Sequence, residues 1–172
     1  MSAKAYSGFT LVDSLLTVAV ISVLITLVIP LGSSLRERSR FTQELTHAFQ
    51  SLTHARELAL ATGQSITASV TTGPEWCIGL TASNSCDCRA TDCLVRSREH
   101  TARSMYPSVS VTATSFVNNR QISFSGYNGT AFGSAGTLTL TSSHHQAKII
   151  VSAIGRVRQC VVTGYLPGVE PC

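Results

Sequence analysis

The chain has 172 residues and a formal net charge of +4. That length suits one domain of ordinary size plus an appendage, and so mild a positive excess does not by itself mark a nucleic-acid binder. No P-loop, nucleophile elbow or zinc-protease spacing occurs among the plentiful Ser and His residues, so the sequence predicts a non-enzyme that needs no cofactor.

Met1 to Gly8 is short, mostly polar and carries Lys4; Phe9-Thr10-Leu11-Val12-Asp13-Ser14 follows, and no charge occurs from Ser14 to Leu35. The roughly 20 residues from Phe9 to Ile29 are long enough to cross a bilayer as a helix. A secretory signal carries a small-residue cleavage site after a shorter apolar run, and Gly32-Ser33-Ser34 is a poor version of one. Asp13 stands at the edge of the apolar run, where a carboxylate in lipid is expensive without a partner. A cut between Gly8 and Phe9 would supply one, because the new amine on Phe9 would lie about one helical turn from Asp13. The amine of a neighbouring subunit is the alternative partner.

A short basic leader ending in Gly8, then Phe-Thr-Leu-Val and an acid as the fifth residue after the cut, resembles the class III signal of type IV prepilins and type II secretion pseudopilins. Pro30 falls where pilins carry a helix-kinking proline. One departure is that Asp13 stands where the family usually has Glu, one methylene longer; processing is expected to survive it. The resemblance implies cleavage after Gly8 by a prepilin peptidase and N-methylation of Phe9. It implies a single-pass protein of the bacterial inner membrane, with its head in the periplasm. It also implies later assembly with other pilin subunits through Asp13 and Pro30.

After Pro30 and a Gly-Ser-Ser break, Leu35 to Ala61 is rich in helix formers. Phe41, Leu45, Ala48, Leu52, Ala55 and Ala59 recur at alternating spacings of four and three, which is one apolar face of an amphipathic helix. Arg36, Arg38, Arg40, Glu44, His47, Arg56 and Glu57 lie mostly off that face, and Gly63 is the stop. The three arginines after the apolar run imply a solvated helix face or contacts between subunits.

From Ser65 the period becomes two. Ile66, Ala68 and Val70 alternate with Thr67, Ser69 and Thr71, the pattern of a half-buried strand. Further short strands are predicted at Trp76–Leu80, Cys93–Ser97, Val109–Ala113, Gln121–Ser125, Thr137–Thr141, Ala147–Val151 and Arg156–Val161, with Gly126, Gly129, Gly133 and Gly136 punctuating a long loop. His144-His145 falls in a solvated turn. A helix followed by antiparallel strands gives an α+β fold, the helix covering one face of the sheet. The expected organisation is a leader at 1–8, a transmembrane or filament-core helix at 9–30, its amphipathic continuation at 31–63 and a β-rich head at 64–172.

All six cysteines, Cys77, Cys86, Cys88, Cys93, Cys160 and Cys172, follow the apolar segment. An even count in a Ser/Thr-rich exported domain predicts disulfides. The rival reading is zinc held by Cys86, Cys88, Cys93 and His100. The single residue between Cys86 and Cys88 is short for a structural zinc pair, so no metal is expected. Cys160–Cys172 is the expected pair, because the other four cluster between Cys77 and Cys93; the pairing of those four stays open.

This order resembles the FimT/FimU minor pilins and the GspH-type pseudopilins. The likeness covers residues 1–62 and, in the C-terminal third, Ile122-Ser123-Phe124, Gly136 to Leu140 and Ile149 to Ser152 leading to Gly155-Arg156-Val157-Arg158. The last four resemble the GRxR motif with which FimT-like pilins bind DNA in natural transformation, so the resemblance implies double-stranded DNA as a partner of Gly155, Arg156 and Arg158. In a strand the two arginines share a face, about 6.6 Å apart, as two guanidinium forks suited to two phosphates. Cys160 shares that face, and Tyr165 is a residue to stack on a base or to pack. Arg96, Arg98 and Arg103 would extend a basic surface, diluted by Glu99. The alternative is a structural tip or priming minor pilin, or a type II secretion pseudopilin, in which the arginines are solvated or pair with a neighbouring subunit's acids.

Overall fold

The computed structural model describes residues 11–90, 92–116 and 121–172, the side chains of 25–33 and 113 excepted. Gly8 and Phe9 therefore lie outside the described residues. Two compact units are present, Met1–Glu37 and Arg38–Cys172. One helix, α1, spans Leu11–Thr62. It runs through Gly32-Ser33-Ser34, where the sequence predicts a break. Glycine and serine cost a helix at most about 1 kcal/mol each relative to alanine, which helix formers on either side can offset.

In the first unit the large apolar side chains from Leu11 to Leu24 point all round the helix and are 53% to 76% exposed. Among the described residues no helix is long and apolar enough to cross a membrane. The expected span from Phe9 to Ile29 begins before the described residues and ends among those whose side chains are excepted.

In the second unit the predicted stripe of α1, Phe41, Leu45, Ala48, Leu52, Ala55 and Ala59, is wholly buried. Among the described residues ten strands follow: β1 (Ile66–Thr71), β2 (Cys77–Thr81), β3 (Leu94–Val95), β4 (Arg98–Glu99), β5 (Thr101–Arg103), β6 (Ser110–Thr114), β7 (Gln121–Phe124), β8 (Gly136–Thr141), β9 (Gln146–Val151) and β10 (Val157–Thr163). They form two four-stranded sheets, β5-β2-β1-β7 and β10-β9-β8-β6, and a small β3-β4 ribbon; every pairing is antiparallel. The α1 stripe and apolar residues of both large sheets make one core, so the fold is α+β with the helix packed on antiparallel sheets.

Two strand expectations need correction. Strand β1 is buried on both faces, not one. Ile66, Ala68 and Val70 enter the core, while Ser69 and Thr71 meet a lid of cysteines. The predicted strand Cys93–Ser97 is only Leu94–Val95, because Arg96 and Ser97 both adopt positive φ (51° and 63°) and turn the chain into β4. Paired positive φ values make the tight hairpin turn that matches strand twist.

The lid consists of two interlaced disulfides, Cys77–Cys88 and Cys86–Cys93, and Cys160–Cys172 is the third; no free cysteine remains. Each closes a short loop, worth about 2.5–3 kcal/mol in a chain-entropy account. The zinc reading fails on this chemistry, since a bonded sulfur is not a thiolate ligand. Cys86 and Asp92 are held structurally instead: the Cys86 N–H donates to Ser69 Oγ (3.2 Å) and the Asp87 N–H to Asp92 Oδ1 (3.0 Å). Gly79 makes the lid possible, because a methyl at its Cα would overlap Cys93 Sγ.

Glu44 corrects the helix reading further. It is fully buried, not solvated. Its Oε1 accepts hydrogen bonds from the backbone N–H groups of Met105 (2.7 Å) and Tyr106 (2.6 Å) in the β5–β6 connection. One carboxyl oxygen thus satisfies two neighbouring backbone donors in a part-buried connection. Glu44→Ala leaves both unpaired and is expected to cost about 2–4 kcal/mol. Glu44→Gln keeps one oxygen acceptor and should lose less. Urea unfolding under non-reducing conditions checks this, and equal midpoints for wild type and Glu44→Ala would refute the role.

Candidate functional site

The predicted assembly residues fall in the first unit. Asp13 is exposed on α1. Pro30 lies within α1, with its side chain outside the description, so their expected pairing roles rest on sequence.

The arginine pair is positioned by the hairpin between β9 and β10. The Ser152 N–H donates to Arg156 O (3.0 Å), the Gly155 N–H to Ser152 O (2.8 Å), and the Arg156 N–H to Ser152 Oγ (3.0 Å). Gly155 has φ +81°, so the loop Ala153-Ile154-Gly155 closes in the left-handed conformation that favours glycine. A side chain is excluded for a second reason: a methyl on Gly155 would overlap the carbonyl oxygen of Gly129. That carbonyl accepts a hydrogen bond from Arg56 Nε of α1 (3.2 Å), and the Ala131 N–H donates to Ala153 O (2.8 Å). The turn is thus clamped between the β7–β8 loop and the helix. Arg56, read from sequence as one of the off-face helix residues, is half-buried and holds this clamp.

Arg156 and Arg158 are exposed, and Val157 between them packs on the core. Arg156 precedes β10 rather than beginning it. In register, Arg158 stands opposite Ile150 and Cys160 opposite Lys148, so Lys148 shares the arginines' face of the sheet. Among the described residues neither arginine side chain makes an ion pair or a hydrogen bond.

Cys160 does tie the C-terminal tail beside the pair. The tail bridges Val161 in parallel, with the Val161 N–H donating to Glu170 O (2.9 Å) and the Cys172 N–H to Val161 O (3.0 Å). Tyr165 is exposed, and the Arg38 guanidinium lies 4.8 Å from its ring centre; Arg40 lies 5.2 Å from that of Tyr106. These two helix arginines are therefore engaged with head aromatics, while Arg36 is exposed.

Sequence reasoning missed the apolar members of this surface. Ile154 in the turn and Tyr127 and Phe132 in the clamping loop are exposed large hydrophobic residues. A Gly-rich loop with isolated aromatics was the available signal. The other basic candidates do not join the pair: Arg96 and Arg98 sit in the β3-β4 ribbon, and Arg103 forms an ion pair with Glu99 (3.4 Å). His145 is not in a purely solvated turn, because its ring stacks on Phe41 at 5.5 Å.

The family model described as type II transport protein GspH matches residues 46–155. The match takes in the last third of α1 and strands β1 to β9, and it stops one residue before Arg156. No curated protein and no solved structure matches the chain.

Gly155→Ala tests the clamp. Positive φ alone costs a β-carbon residue about 1–2 kcal/mol, and the overlap with Gly129 adds to it. The thermal midpoint should fall by several degrees, whereas Gly168→Ala, with positive φ but open space around it, should cost only the first term. Equal losses would show that the Gly129 contact is slack.

Proposed function

The chain belongs to the GspH family of type II transport proteins, and from that premise we propose that it is a minor pilin, a non-catalytic subunit of a type IV pilus whose head contacts double-stranded DNA through Arg156 and Arg158. The observation that carries the DNA reading is the exposed arginine pair on a clamped turn, with no acid paired to either among the described residues. The clamp fixes the backbone that carries the two guanidinium groups, and Lys148 adds charge on the face of Arg158.

Membership of the filament rests on the N-terminus. Apolar side chains exposed all round α1 from Leu11 to Leu24 need an apolar surrounding, first the inner membrane and then the bundle of neighbouring helices. Cleavage after Gly8 by a prepilin peptidase frees the Phe9 amine for methylation and for Asp13. Asp13 and Pro30 then serve subunit packing.

A second reading has its own support. The exposed Ile154 in the turn and Tyr127 and Phe132 in the adjoining loop suit a protein partner as well as a base, and the family is one of type II transport proteins. In that reading the chain is a tip or priming subunit, or a type II secretion pseudopilin, and the arginines meet a neighbouring subunit's acids.

DNA binding by residues 38–172 at low salt separates the two. Wild type should bind duplex DNA with a log–log salt slope of about −2, for two phosphates, and Arg156→Ala/Arg158→Ala should abolish it. No binding, or equal binding by the double variant, leaves the structural reading. Processing is checked by co-expression with a prepilin peptidase: the mature chain should start at Phe9, and Gly8→Val should stay uncut. A mature chain that starts elsewhere would sink the filament assignment.

A further inference from the structure

Away from the arginine turn, α1 and the segment between β4 and β5 wall a groove of about 300 Å³. His54 projects from the helix side and His100 from the strand side. The backbone of His100 is fixed on both sides: its N–H donates to Cys93 O (3.1 Å) and its carbonyl accepts from the Leu80 N–H (2.9 Å). Cys93 is itself in the disulfide lid. Both histidines are thus carried on rigid elements, and their imidazole ring centres lie 5.4 Å apart with the planes tilted at 43°. Among the described residues neither ring makes a hydrogen bond.

This spacing has a chemical meaning. A metal–nitrogen bond to histidine is about 2.1 Å, and the ring centre lies about 1.1 Å beyond the nitrogen, so two imidazoles on one tetrahedral ion have centres about 5.2 Å apart. The observed separation lies close to that value. We propose that His54 and His100 form a two-imidazole site for a divalent transition metal, Cu²⁺, Ni²⁺ or Zn²⁺, with water completing the coordination. Imidazole nitrogen suits these ions, whereas calcium and magnesium need oxygen ligands that the pair does not offer.

The neighbours define the site's limits. Glu99 also lines the groove, and its Oε1 is already engaged by Arg103 and by the Thr101 hydroxyl (3.1 Å). His47 also lines the groove but lies seven residues before His54 on α1, about 10.5 Å along the axis, and its ring faces Trp76. A bound ion would therefore bridge helix and strand, not a cluster within one element.

The test is calorimetric titration of the full, disulfide-bonded chain in detergent with Cu²⁺, Ni²⁺, Zn²⁺ and Mg²⁺. One transition-metal ion per chain is expected, with Cu²⁺ tightest and no Mg²⁺ binding. His54→Gln and His100→Gln should each weaken binding at least tenfold, and His144→Gln should leave it unchanged. Because His100→Gln also disturbs a half-buried residue, electron paramagnetic resonance of the wild-type Cu²⁺ complex gives an independent reading, with nitrogen hyperfine coupling from two imidazoles expected. No stoichiometric binding, binding unchanged in both variants, or coupling from a single imidazole would each overturn the site.

Discussion

The stripe of α1 from Phe41 to Ala59 is the surface on which the rest of Arg38–Cys172 is built. Large Phe41, Leu45 and Leu52 are interspersed with small Ala48, Ala55 and Ala59, and all six are fully buried. The alanines let sheet side chains approach the helix, and the larger residues fill the space between. Ile66, Ala68, Val70, Ile78, Ile122 and Phe124 from one sheet and Leu138, Leu140, Ala147, Ile149 and Val151 from the other meet in the same core. Four-stranded sheets this short would otherwise expose one apolar face each, so the two sheets depend on a helix face they share.

Polar groups at the margins of that stripe then fix the loops. Glu44 receives the N–H groups of the β5–β6 connection, and Arg56 holds Gly129, whose carbonyl fills the space a side chain on Gly155 would need. The route from helix to arginine turn therefore runs through two backbone glycines and one guanidinium. Its rigidity comes from close approach rather than from strand pairing, since Arg156 itself lies outside β10.

The helix stripe was fully legible because its spacing of three and four is local information. Strand positions and the β7–β8 glycine loop were legible for the same reason, and Cys160–Cys172 followed from the clustering of the other cysteines. What was not legible depends on tertiary partners. Glu44 reads as a solvated acid until Met105 and Tyr106 are brought to it. Ser69 and Thr71 read as an outer face until the cysteine lid meets them. The short β5 (Thr101–Arg103) carries no period long enough to register, and it exists because β2 offers an edge. Gly155 was read as a turn residue, but its contact with Gly129 pairs positions far apart in the chain. For the site, the turn and the exposed arginines were readable, while the β7–β8 loop that carries Tyr127 and Phe132 meets the turn only through packing, and Lys148 joins Arg158 only through register.

Charge placement shows why a net excess of +4 understates the basic character of one surface. Of the nine acids, Glu44 is turned inward to backbone donors, Asp92 and Asp87 accept N–H groups within the disulfide lid, and Glu99 is paired with Arg103. These four are committed to building the head. The donors they bind offset part of that negative charge locally, and none of the four lies in β9 or β10. There Lys148, Arg156 and Arg158 meet solvent together. The field felt by an approaching polyanion, or by an acidic patch on a neighbouring subunit, is set by that local imbalance rather than by the sum over the chain. At physiological salt it extends only about 8 Å, so the face acts on whatever docks against the turn and not on distant partners.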